Sequence, residues 1–226
     1  MIHSLLNFLY PKRCTCCTAI LDQYEALICT SCRHRLPLTN FHKFNDASLK
    51  KVFYGRLPLK LGTALFYFEK KGPIQELMHN LKYRDQDNIS GFLGNWLGTE
   101  LANEVAYQKI DIIIPVPLHP NKLRKRGYNQ VAGFGKQLAE KLQATYDDTV
   151  LHKIKDTKTQ VFKNRSARND EIYTAFGISN YEDLIGKHIL LVDDIITTGA
   201  TLESCGLTLL QIPKITLSIA AMAIAV

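Results

Sequence analysis

Two continuous apolar runs, IDIIIPVPL at 110–118 and ILLV at 189–192, constrain the fold most. A strand with one face in water alternates apolar and polar residues, whereas a strand buried on both faces does not. The tail ITLSIAAMAIAV at 215–226 reads the same way, and TALFYFE at 63–69 alternates like a strand. A further strand is expected near 149–154. Between these lie segments with helical spacing: PIQELMHNLKYR at 73–84, which opens on Pro, and stretches over 90–106, 129–145 and 201–210. Strands alternating with helices predict an α/β fold, a parallel sheet covered by helices on both faces. A chain of 226 residues with 46% hydrophobic content suits one such domain with an appendage.

The 189–192 run leads directly into Asp193 and Asp194, and then into Thr197, Thr198, Gly199, Ala200 and Thr201. In open parallel sheets ligands bind beyond the carboxyl ends of the strands. Paired carboxylates there can accept hydrogen bonds from two vicinal hydroxyls, as on a ribose, and can help hold Mg²⁺. The Thr-Thr-Gly-Ala-Thr stretch wraps the start of the next helix. Its amides, its hydroxyls and the helix dipole favour a phosphate. Gly199 permits a backbone approach or a positive φ that a β-carbon obstructs. Acids for a diol beside amides for a phosphate describe a ribose 5-phosphate site. The competing reading, a Walker B strand, requires a G-x-x-x-x-G-K-[ST] loop, which the chain lacks.

Five of the six cysteines fall in 14–32, as CTCC and CTSC. The pairs Cys14/Cys17 and Cys29/Cys32 form two C-x-x-C knuckles, which together make a closed S₄ set for structural zinc. A register with Cys16 in place of Cys17 fits the same pattern. Lone Cys205, in a helical stretch, reads as a small buried hydrophobe. Charge is as uneven as the cysteines. Residues 1–60 carry nine Lys or Arg against three acids, while the rest of the chain carries 19 against 18. Such a basic segment suits a phosphate-rich partner such as nucleic acid, or simply a solvated surface. The expected organisation is a zinc module at 1–40, a basic, irregular connector at 41–60 and the α/β domain at 61–226. No apolar run reaches the roughly 20 residues of a bilayer span, and the N-terminal stretch has no signal-peptide pattern, so a cytoplasmic protein without membrane insertion is expected.

Three features together resemble one family. VDDIITTGAT at 192–201 matches the phosphoribosyl pyrophosphate (PRPP) signature of type I phosphoribosyltransferases. With PVPLHPNKLRKRGYNQ at 115–130 and the N-terminal C-x-x-C pair, the chain resembles the ComF family of competence-associated proteins. The resemblance implies a type I phosphoribosyltransferase-like sheet plus a zinc ribbon. It also implies PRPP binding with Mg²⁺ at Asp193, Asp194 and 197–201, and a role with single-stranded DNA in natural transformation. A competence helicase or another DNA-uptake protein is the kind of partner it implies. The reaction and its acceptor do not follow from it.

The 115–130 string follows a strand and should face the same crevice as Asp193. Pro117, Leu118 and His119 begin a pyrophosphate-binding loop in this reading, and Lys122, Arg124, Lys125 and Arg126 supply cations for the phosphates. His119 fits either a phosphate donor or a surface residue, and Asn129 fits a helix cap. The polar stretch 157–176, with Lys158, Lys163, Arg165 and Arg168, fits either a closing loop or a DNA-facing arm. No catalytic base declares itself. Two functions therefore stand: a phosphoribosyltransferase acting on PRPP, and a non-catalytic nucleic-acid adaptor for which PRPP or a nucleotide is only a ligand.

Overall fold

The computed structural model describes residues 11–44, 46–81, 87–154 and 175–225. Five parallel strands form the main sheet: β1 (Gly62–Tyr67), β2 (Ile112–Pro115), β3 (Thr145–Tyr146), β6 (His188–Ile196) and β7 (Thr216–Ile224). Their order across the sheet is β1-β7-β6-β2-β3. The undiluted apolar runs therefore occupy central positions, as expected. β6 pairs with β2 on one side and β7 on the other, and alternate residues feed two separate cores.

Leu190 and Val192 enter the first core, with Leu93 and Leu97 of α4 (Asp87–Ala102) and Phe134 and Leu138 of α6 (Ala132–Leu142). Ile189 and Leu191 enter the second, with Leu202, Cys205 and Leu209 of α7 (Ala200–Leu209). Cys205 is fully buried, as the sequence reading anticipates. α3 (Pro73–Asn80) starts at its proline and places Ile74 and Leu77 in the first core.

The N-terminal module is docked rather than tethered. Cys14, Cys16, Cys29, Cys32 and Ile28 join the first core beside Leu77. Asn80 Nδ2 donates to Thr15 O at 2.8 Å, and Arg33, on α1 (Thr30–Arg35), lies 4.6 Å over the Trp96 ring. The segment after α1 covers the outer edge of β1. Leu38 bridges Phe66, Thr39 N donates to Leu65 O and Tyr67 N donates to Pro37 O. That cover explains why β1, an edge strand with an alternating pattern, is buried along nearly its whole length.

Several boundaries differ from expectation. The stretch 41–60 is not irregular: it contains α2 (Ser48–Val52), and Leu49, Phe53 and Leu57 are buried in the second core. The expected strand near 149–154 is β4 (Leu151–Lys153), which pairs antiparallel with β5 (Phe176–Ile178) outside the main sheet. The sheet's fifth strand is instead the two-residue β3, which follows once Gln143 adopts φ 54° and ends α6. The basic run after β2 is a helix, α5 (Pro120–Arg126), closed by Gly127 at φ 86°. Nearly all of the 157–176 stretch, including Lys158, Lys163, Arg165 and Arg168, lies outside the described residues.

Candidate functional site

β6 outruns its neighbour. Pairing with β2 ends at Val192, while pairing with β7 continues to Ile196. Asp193 and Asp194 are thus the first residues of β6 with no strand on the β2 side. They lie within the strand rather than at its end, a small shift from the sequence reading. Val116 N donates to Val192 O at 2.9 Å, so the chain after β2 leaves the sheet beside the paired acids.

The two acids differ in setting. Asp193 is 9% exposed. Burial, reinforced by the neighbouring Asp194 carboxylate, pushes its carboxyl well above the usual range. Asp194 is half-buried and accepts from Gln130 Nε2 at 2.7 Å. Arg126 in turn donates from Nη1 to Gln130 Oε1. This Arg126–Gln130–Asp194 relay links the basic helix to the paired acids. A crowded carboxyl pair favours a cation or hydroxyl donors, which is the chemistry Mg²⁺ or a sugar diol supplies.

Past Ile196 the chain turns through exposed Thr197 and Thr198 into α7. Gly199 sits at φ 76°, and a β-carbon there would lie 2.7 Å from Phe53 Cε1. Both the backbone conformation and the space demand glycine. Ala200 and Thr201 open the helix and are exposed. Ala200 N lies 3.4 Å from Thr198 Oγ1. Arg56 braces the turn: it donates to Thr198 O at 3.2 Å and pairs with Glu203 at 2.6 Å. Arg56 belongs to the basic N-terminal segment, yet part of its charge is spent here.

The residues of the second string are distributed as follows. Pro117, Leu118 and His119 are half-buried in the link from β2 to α5. His119 Nδ1 accepts from Asn121 N at 3.2 Å, capping α5. Lys122 and Arg124 are exposed on α5, not on a loop, and Arg126 is partly covered. Asn129 ties the two strings together, donating to Val116 O at 3.0 Å and accepting from Val131 N at 3.1 Å. Asn129 is therefore not the helix cap read for it: the N-cap of α6 is Val131, without a side-chain cap bond, and Asn129 instead sets the turn before the helix and braces the link after β2. Gln130 and Arg56 are the residues sequence reasoning missed. Gln130 closes the matched 115–130 string with no role read for it, and Arg56 stands out only as one of the cations of residues 1–60.

At the N-terminal module, the Sγ atoms of Cys14, Cys17, Cys29 and Cys32 lie within 4.8 Å of one another and can hold a metal ion. Tetrahedral Zn–S bonds of about 2.3 Å place sulfurs about 3.8 Å apart, and Cys17 and Cys29 are 3.7 Å apart. Cys17, not Cys16, joins the cluster. Burial raises the Cys14 thiol, but the amides of Cys29 and Cys16 outweigh it and bring it down to about 6. Burial pushes the Cys16 thiol up to about 12.

The phosphoribosyl transferase domain family matches residues 132–212, which include Asp193 to Thr201. This part of the chain is thus similar to a phosphoribosyl transferase domain. The chain is 29% identical over 142 residues to the DNA utilization protein YhgH of Shigella flexneri, covering 62% of each chain. It is 37% identical over 109 residues to competence protein ComFC of Streptococcus pneumoniae, covering 48% of this chain and 44% of that one. Among solved structures, the glutamine PRPP amidotransferase of B. subtilis aligns with a TM-score of 0.43 at 18% identity, over 63% of this chain and 30% of that one. The relatives support a ComF-family protein. Among the described residues, no helix is long and apolar enough to cross a membrane.

Proposed function

We propose that this protein binds PRPP with Mg²⁺ between β6 and α7 and acts in the handling of single-stranded DNA during natural transformation. One observation carries the ligand reading: β6 extends past β2, so the paired acids stand free immediately before a positive-φ glycine that opens a helix. Asp193 and Asp194 take the ribose hydroxyls and help hold Mg²⁺. The Thr197–Thr201 turn takes the 5-phosphate through its amides and hydroxyls. Arg126 and the exposed Lys122 and Arg124 compensate the diphosphate. Pentosyl transfer develops oxocarbenium-like charge, which positioned groups can stabilise without a base. Zinc is the metal that suits the four cysteines. The DNA part rests on the relatives' names and on the excess of cations in residues 1–60.

The test is calorimetry with PRPP and Mg²⁺ on the wild type and on Asp193→Asn/Asp194→Asn, which keeps size and removes two anionic acceptors. Charge-assisted hydrogen bonds are worth about 1.5–3 kcal/mol each, so binding should weaken by at least about tenfold. A wild type that binds no PRPP, or a variant that binds it equally well, refutes the reading.

A further inference from the structure

A cavity of about 500 Å³ opens where β1 begins. It lies between the turn at 41–44, Asp46, α2, the Lys60–Gly62 approach to β1 and the segment after α4. None of its lining residues belongs to the Asp193–Thr201 crevice or to the 116–130 string.

Three cations converge on it from three separate segments: Lys43, Lys50 and Lys60. Lys43 is engaged, 3.3 Å from Glu100 Oε2. Lys50 and Lys60 have no carboxylate at ion-pair distance among the described residues. Of the two acids on the wall, Asp46 is already spent. It accepts from Ser48 N at 2.7 Å and from Ser48 Oγ at 2.6 Å. Glu104 is the remaining acceptor. His42 forms part of the lining, with its side chain 1% exposed. Its Nδ1 lies 3.4 Å from Thr63 Oγ1. Its Nε2 lies 2.9 Å from Glu100 Oε2, the same oxygen that Lys43 reaches, so His42 and Glu100 hold that wall together.

We propose that this cavity is a second ligand site, taking a phosphomonoester of nucleotide size whose phosphate is held by Lys50 and Lys60. Uncompensated cations in a concave, partly apolar setting concentrate an anion there. The volume is that of a small-molecule site and far exceeds what a bare phosphate occupies. The organic part of the ligand fills the remainder against Phe41 and Leu61, and Glu104 receives a hydroxyl or amine from it. The inference stands apart from the ribose reading, since the two sites share no residue.

The probe is 2′,3′-dideoxyadenosine 5′-monophosphate, which lacks the vicinal hydroxyls that paired carboxylates recognise. Calorimetric titration of the full chain should show one site per chain, with inorganic phosphate binding more weakly. Lys50→Glu with Lys60→Glu should weaken binding at least about tenfold. Lys51→Glu, on the same helix but outside the cavity, should leave it unchanged, as should Asp193→Asn/Asp194→Asn. Ala106→Trp fills the exposed rim without altering charge and should weaken binding too, which covers the case of a misfolded lysine variant. Absence of binding overturns the proposal. So does loss in the aspartate variant, which would put the ligand in the strand-end crevice. Equal loss with Lys51→Glu overturns it as well, because a diffuse charged surface would then suffice.

Discussion

Replacing Gly199 by alanine tests whether the turn into α7 is built as described. Two costs are separable. At φ 76° a β-carbon meets the following carbonyl, which costs about 1–2 kcal/mol. The same carbon would lie 2.7 Å from Phe53 Cε1 and 2.9 Å from Cζ. Phe53 is fully buried, so its ring cannot swing aside, and overpacking of this kind costs about 1–3 kcal/mol. The sum is about 2–5 kcal/mol. At ~2–4 °C per kcal/mol for a chain of this size, the melting temperature should fall by roughly 4–20 °C. Urea unfolding followed by the fluorescence of Trp96, the single tryptophan, gives the free energy. A double-mutant cycle with Phe53→Leu removes the ring tip. In that background Gly199→Ala should cost only the backbone part, about 1–2 kcal/mol. An equal cost in both backgrounds, or a cost below about 1 kcal/mol in the wild type, would refute the argument.

Two further outcomes follow from the geometry. Because folding raises the Asp193 carboxyl above its ordinary value, the folded protein binds a proton that the unfolded chain releases, and stability should fall as pH rises through that raised range. Asp193→Asn abolishes this term. In magnesium-free buffer its melting temperature should exceed that of the wild type at pH 8, and the two should converge towards about pH 4, where the unfolded carboxyl is also protonated; a gap independent of pH contradicts the assignment. Metal analysis should give about one zinc per chain, lost in Cys32→Ser. Cys14 and Cys32 share a core with Leu77 and Leu93, so that loss should lower a single transition seen equally by tryptophan fluorescence and far-UV circular dichroism; two separate transitions would mean the module is energetically independent.

The parts legible in the sequence are those that local chemistry dictates. β6 contains the unbroken apolar run 189–192, which only a doubly covered strand requires. The hydroxyl-rich turn with one glycine announces a helix start. The cysteine knuckles need nothing beyond their spacing. The parts that were not legible depend on distant partners or lack periodicity. α5 buries no residue, so its cations carry no apolar stripe and read as a loop. β3 is two residues long, too short for any pattern. Gln130 and Arg56 gain their roles only when segments 64 and 142 positions away, at Asp194 and Thr198, arrive beside them.

The placement of Phe53 and Arg56 also bears on how this chain can be divided. A fragment cut to the α/β sequence, beginning near residue 61, would keep every residue of the strand-end motif. It would lose the ring that packs against Gly199, the guanidinium that joins Thr198 to Glu203 and the strip at 37–39 that pairs with β1. The motif would remain, but its turn would be unsupported, and the sheet would gain a bare hydrogen-bonding edge of the kind that recruits other chains. Residues 37–39, Phe53 and Arg56 thus make this N-terminal part a scaffold for the motif as well as an appendage. Fragments for crystallisation, or fusions that transplant the motif, need to carry them.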